Sequence, residues 1–316
     1  MFGIGKFIIF CALALTSFIS CKRTTPTTTQ SDTPSSGNIR IVADESCAPL
    51  LRIEASTFNK IYTNANLNIS YLPEIDVTKA FFSDENTRLM IIARRLNEQE
   101  KGYFGKIGLP SHEIKIAIDA IAFIINPQNA DSNLQYQQVV DILNGKITSW
   151  KQINKNSSLE DVVLVFDNQK SSTVRYLSEN LLHGGQLTSE AFAVDSNIAV
   201  INYVKQHASA IGVIGSSWIS DTTDSVTNNN LKEIKTVAVS SLDSPNHYYL
   251  PVKRYFYSMQ YPFLRELYIV SQEKHAGLGT GFATYVASDE GQRIVQRSGL
   301  MPIDNAVRII ELKESF

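Results

Sequence analysis

The run Ile114–Asn126 (IKIAIDAIAFIIN) constrains the fold more than any other stretch of the chain. It is long for one strand, alternates apolar and polar residues at its start, and turns fully apolar towards its end. Alternation marks a strand with one covered face, whereas a continuous apolar run marks a strand covered on both. A strand that carries both signatures is expected to leave one lobe and enter another. The β-branched run Ile234–Val239 (IKTVAV) offers a return crossing. Two such crossings bracketing an inserted unit imply two lobes and a hinge: residues 38–117 and 240–316 in lobe one, residues 118–239 in lobe two.

Around these crossings, strand-like and helix-like segments take turns. Ile39–Ala43 is a short apolar run, Leu50–Tyr62 is amphipathic, Leu67–Leu72 reads as a strand, Asp76–Asn86 as a helix and Leu89–Ala93 as a buried strand. The middle of the chain continues with helices at Tyr136–Leu143, Ser171–Leu182 and Asn197–Gln206 and strands at Val162–Phe166 and Ile211–Ile214. Near-continuous apolar strands that alternate with helices predict an α/β fold with a mostly parallel sheet.

The first residues read as an export signal. Lys6 supplies a positive start, Phe7–Leu15 an apolar run and Thr16–Ser20 small residues before Cys21. The run is shorter than the roughly 20 apolar residues of a spanning helix. Ser20-Cys21 resembles the cleavage box of bacterial lipoproteins, which makes residues 1–20 the signal and Cys21 the lipidated first residue. Residues 21–37 are rich in Thr, Ser and Pro and bury too little to order themselves, so they read as a flexible tether. The expected location is exported, on the periplasmic side, held to a membrane by lipid. A net charge of −2 carries no nucleic-acid footprint. Apart from Cys11 and Cys21, only Cys47 remains, and His112, His183, His207, His247 and His275 are scattered, so no disulfide, metal site or cofactor is expected.

Three segments carry candidate chemistry. Asp44-Glu45-Ser46-Cys47-Ala48-Pro49 lies between a strand and a helix, and its free N–H groups can bind an anion. Asp167–Tyr176 places Ser171, Ser172 and Thr173 at a helix start with Arg175 in the first turn, a natural oxyanion cradle. Arg94 and Arg95 follow the buried strand; one is expected to point into a cleft and clamp an oxyanion, and Arg94 is favoured. Gly277–Gly281 reads as a helix entry turn rather than a nucleotide loop. Ser171, His183 and Asp195 could be drawn as a hydrolase set, but Ser171 lacks the Gly-x-Ser-x-Gly elbow, so no enzymatic activity is expected.

The order of these elements resembles the phosphate-binding proteins of ABC importers. The likeness is carried by Val42–Ser46 with Ala48-Pro49-Leu50, Ile116–Ala122, Ile142–Trp150 (ILNGKITSW), Ser171–Arg175, Ile211–Gly215, and Gly291–Val295 with Ser298-Gly299-Leu300. It implies a two-lobed periplasmic-binding-protein fold of type II that captures inorganic phosphate or a related oxyanion as a monomer and delivers it to an ABC permease. By motif, Glu45 and Ser46 fall on the family's first ligand loop, and Ser171, Ser172 and Thr173 on its Ser-Gly-Thr helix start. Two charged positions depart. The family's arginine four residues before that serine is Asp167 here, and its proton-accepting aspartate in lobe one is replaced by Ala93-Arg94. An exchange of charges follows as an expectation: Arg94 for the lost arginine, and Glu45 or Asp167 for the lost acceptor. The alternative is a surface or signalling module in which the cleft is vestigial.

Overall fold

The computed structural model describes residues 32–303. The signal, Cys21 and most of the tether expected from the sequence lie outside them. Strand β1 (Gly37–Asp44) leads through a short 3-10 turn (Glu45–Cys47) into helix α1 (Ala48–Ile61), with Pro49 in its first turn, where a missing N–H loses nothing. Then come β2 (Ala65–Leu72), α2 (Glu74–Ser83), β3 (Thr87–Ile92) and α3 (Glu98–Lys106). A capping box starts α3: the Glu100 N–H donates to Asn97 Oδ1, and the Asn97 N–H donates to Glu100 Oε2, both at 2.9 Å.

The long strand β4 (His112–Ile125) then crosses the molecule, buried without a break from Asp119 to Ile125. Beyond it the chain forms β5 (Asn133–Leu134), α4 (Tyr136–Leu143), β6 (Val163–Phe166), α5 (Ser172–Asn180), β7 (Phe192–Ala193), α6 (Asn197–Gln206), β8 (Ala210–Gly215), α7 (Ser225–Lys232), β9 (Lys235–Thr236), β10 (Ala238–Ser241) and β11 (Ser244–Tyr249). Strand β12 (Leu264–Ser271) and helices α8 (Leu278–Ala287) and α9 (Asp289–Arg297) follow. The expected entry turn at Gly277–Gly281 is present. Asp32 accepts from Leu278 N at 2.8 Å, and Glu273 accepts from Gly279 N at 2.9 Å and Thr280 N at 2.6 Å, so two carboxylates cap α8.

One sheet runs through both lobes in the order β2-β1-β3-β12-β4-β8-β6-β7, with β9 beside β4. Its flanks are parallel, but its centre is not: β12 is antiparallel to both β3 and β4, and β4 is antiparallel to β8. The early part of β4, from His112 to Ala120, pairs with β12, and Ile121–Ile125 pair with β8. Strand β4, over the run Ile114–Asn126, thus pairs with β12 along its first part and with β8 along its last.

The return crossing lies elsewhere than Ile234–Val239. Thr236 and Lys235 pair with Ile124 and Ile125, at the far end of β4, and β10 joins a small separate sheet with β11 and β5. Tyr249, Tyr255, Phe256, Tyr261 and Phe263 pack in the second lobe's core with Phe123 and Trp150. The chain thus stays in lobe two through Phe263 and returns along β12, so residues 240–263 are taken from lobe one and given to lobe two. A short β-branched run reads alike whether it crosses or edges a sheet; only burial against Phe123 and Trp150 separates the two. The first lobe's core lies between the sheet and helices α1, α8 and α9, with Phe58 and Phe282 edge to face at 5.4 Å between ring centroids. Among the described residues no helix is long and apolar enough to cross a membrane.

Candidate functional site

The two lobes meet where β1, β6 and β8 end and where β4 and β12 cross. Asp119 on β4 and Arg265 on β12 stand opposite one another in the antiparallel register. Both side chains are closed off from solvent, at 0% and 1% exposure. Arg265 donates to Asp119 Oδ2 through Nε at 2.9 Å and Nη2 at 2.6 Å, while Ser216 Oγ donates to the other oxygen, Oδ1, at 2.6 Å. Burial alone pulls the Arg265 pKa down, but the neighbouring Asp119, Cys47 and Asp44 outweigh it and hold the guanidinium cationic.

The same guanidinium reaches both lobes. Nη2 donates to Ser46 Oγ of the first lobe and Nη1 to Ser172 Oγ of the second, each at 2.9 Å, and the two hydroxyls lie 3.2 Å apart. Gly215 makes this approach possible: a Cβ there would stand 2.7 Å from Arg265 Nη2 and 3.0 Å from the Ser46 carbonyl oxygen. Ser217 Oγ ties the Ser46 loop down by donating to that carbonyl at 2.7 Å. Ser171 caps α5, its hydroxyl accepting from Val174 N at 3.2 Å.

Carboxylates surround this centre. Asp44 ends β1 and accepts from the backbone N and hydroxyl of Ser46 through Oδ1. Glu45 reaches across the cleft to the side chain and backbone N–H of Asn197. Asn197, fully buried at the start of α6, also donates to Asp167 Oδ2 at 3.3 Å and accepts from Gly215 N at 2.9 Å. Asp44 Oδ2, Asp167 Oδ1 and Thr173 Oγ1 are buried and make no hydrogen bond of ordinary geometry. Burial pushes the Asp167 carboxyl up to about 7, with the charges of Asp44 and Glu45 adding to it. Burial raises Asp44 too, helped by the Glu74 charge and opposed by Arg265. Burial likewise raises Glu45, against its hydrogen bonds from Asn197.

Arg94, expected to clamp an oxyanion, is engaged by two carboxylates instead. Its Nε donates to Glu74 Oε1 at 2.8 Å, and Nη1 and Nη2 clamp Glu100 at 2.7 Å each. Arg175 also leaves the ligand-facing set. It donates to both oxygens of Glu74 at 2.6 and 3.1 Å, to the Ala93 carbonyl at 3.1 Å and to Glu179 at 2.7 Å. The cause is Glu74, which α2 buries to 3% side-chain exposure; an ionised carboxylate in that position requires paired cations. Arg95 turns to solvent and stacks over Tyr268, 5.3 Å from the ring centroid. Ser46 and Ser172, with Glu45 and Ser171 beside them, do come together as expected from the sequence, and Thr173 follows Ser172 on the same helix turn. Asp44, Asp119, Asn197 and Arg265 are additions. The pair Asp119 and Arg265 had a signal: Asp119 is the lone acid in the apolar part of the long strand, and Arg265 sits in the strand LRELYIVS. A charge in a buried strand needs a partner.

Comparison with known proteins agrees with this architecture. A family model for a PBP superfamily domain matches residues 28–290. A phosphate-binding protein PstS from Borreliella burgdorferi is 26% identical over 278 residues, covering 84% of this chain and 90% of that protein. A PstS from Staphylococcus saprophyticus is 25% identical over 215 residues, 67% of this chain but just 64% of the relative's length. A Clostridium perfringens substrate-binding protein crystallised with phosphate superimposes with a TM-score of 0.71 at 23% identity, over 85% of this chain and all of that one. An ABC-type phosphate transport receptor from Vibrio cholerae does so with a TM-score of 0.62 at 19% identity, over 84% of this chain and 100% of that one. With a shared strand joining two α/β lobes and a family match over most of its length, the chain belongs to the PBP superfamily.

Proposed function

We propose that this chain is a solute-binding protein that closes its two lobes on a small oxyanion, phosphate foremost, and hands it to an ABC importer. The observation that carries the reading is Arg265, a buried cation oriented by Asp119 and aimed at hydroxyls from both lobes. An entering oxyanion would take Arg265 Nη1 and Nη2 as donors in place of the two serine oxygens. Ser172 and Thr173 can then donate their own protons to it, while the Ser46 hydroxyl stays donated to Asp44 Oδ1. The first N–H groups of α5 point the same way, as helix starts do. Contacts from both lobes make the ligand bind the closed form better than the open one, and that difference drives closure. The names of the relatives support phosphate, and those of two structural neighbours support ABC transport. We take residues 1–20 as the export signal and Cys21 as the lipid-bearing residue that holds the monomeric protein at a membrane surface. Mass spectrometry of the mature N-terminus checks this; a start other than an acylated Cys21 contradicts the anchor.

A second reading has one observation in its favour. Ser46, Ser172 and Arg265 already satisfy one another across the cleft, the arrangement a vestigial site in a surface or signalling module would have. Isothermal titration separates the two. The binding reading expects saturable heat with phosphate, and sulfate weaker by about tenfold or more, some 1.4 kcal/mol. No heat with either anion at millimolar concentration favours the vestigial cleft.

A further inference from the structure

This inference rests on the oxyanion reading and concerns which form of the anion the site takes. We propose that the site binds a tetrahedral oxyanion in its doubly protonated, singly charged form, because Asp44 of one lobe and Asp167 of the other, whose second oxygens hold Ser46 and Asn197, each keep one buried carboxylate oxygen without a hydrogen-bond donor. An ionised carboxylate only accepts hydrogen bonds, and each buried acceptor left without a donor costs on the order of 1–3 kcal/mol. The ligand that relieves both must bring two O–H donors. Dihydrogen phosphate does so, and keeps two bare oxygens for Arg265 and for the hydroxyls of Ser172 and Thr173. Hydrogen phosphate brings one donor and leaves a carboxylate facing a dianion. Sulfate brings none.

The surrounding charges point the same way from every side. Asp44 faces Glu74 on α2, Arg265 on β12 and Cys47 in its own turn. Asp167 faces Asp44, Glu45 and the Ser171 hydroxyl, with Asn197 of α6 on its other oxygen. Arg52 lies near Glu45. Arg94 and Arg175 are engaged by Glu74, and Asp119 offsets Arg265. The immediate site is therefore rich in carboxylates around a compensated arginine, a poor place for a bare dianion.

Proton bookkeeping makes the claim measurable. Where free phosphate is the hydrogen phosphate dianion and both aspartates are ionised, forming the complex takes up one proton per anion. The dissociation constant then rises about tenfold per pH unit. A site that takes the dianion on a single carboxylate would show a flat profile over the same range. The experiment is titration of the mature protein with inorganic phosphate from pH 5.5 to 8.5, repeated in buffers of different ionisation enthalpy to count protons. The expected result is a slope near one above pH 7, uptake of one proton, and a flattened profile in Asp167→Asn, whose amide donates to an anion oxygen and admits the dianion. Phosphate binding with a flat profile and no proton uptake overturns this inference and leaves the oxyanion reading standing. No phosphate binding at any pH overturns both.

Discussion

Replacing Arg265 by alanine is expected to abolish anion binding and to destabilise the fold by about 3–5 kcal/mol, the effect of removing one partner from a buried ion pair. The large effect comes from what remains. Asp119 would keep its Ser216 hydrogen bond but lose both contacts to the guanidinium, in a position with no solvent exposure. Ser46 and Ser172 would lose the group that joins them across the cleft. Urea unfolding measures the stability and calorimetry the binding. The double substitution Arg265→Ala with Asp119→Ala separates the two roles. It should regain part of the stability, since no charge is stranded, and none of the affinity. Unchanged phosphate affinity in Arg265→Ala would remove this residue from the site.

Glu74→Gln is expected to loosen lobe closure and to destabilise the protein by about 1–3 kcal/mol. One carboxylate here holds Arg94 of its own lobe and Arg175 of the other. An amide oxygen could still accept from both Nε atoms, but the amide carries no charge and would turn its NH2 donors towards Arg175 Nη2, which now donates to Glu74 Oε2. The expected loss is smaller than at Arg265 because the arginine side chains keep 20% and 21% exposure and water can solvate them. Small-angle scattering without ligand should show a larger radius of gyration, and phosphate affinity should fall several-fold. The second ion pair across the cleft, Lys170 with Asp76, is a control. Its lysine is 54% exposed, and Asp76→Asn should change stability by at most about 1 kcal/mol. Equal effects of the two substitutions would mean that burial of Glu74 does not set the closure energy.

The comparison of Arg94 with Arg265 shows how far residue patterns reach. Both arginines border apolar strands, and nothing in their neighbours ranks one above the other. What separates them is a partner. Glu74 and Glu100 lie 20 and 6 residues from Arg94 and capture it locally. Arg265 meets Asp119 across 146 residues, a pairing made by the register of β12 on β4. The return crossing was misplaced for the same reason. Ile234–Val239 and Leu264–Ser271 are both β-branched or apolar runs, and the aromatic core around Phe123, Trp150 and Phe263 decides which one leaves lobe two.

By itself the sequence determined the alternation of strands and helices, the long strand at Ile114–Asn126 and the helix start at Ser171, and it marked the hydroxyls of Ser46 and Ser172 as candidate groups. These follow from periodicity and from donors that a helix start leaves free, both properties of contiguous residues. The tertiary structure alone decided which charges enter the cleft. Burial of Glu74 withdrew Arg94 and Arg175, while strand register brought Arg265 onto Asp119, and one oxygen each of Asp44 and Asp167 stays buried without a donor. The physical reason is that a charge's role depends on its nearest opposite charge and on its access to water, and both are set between segments distant in the chain.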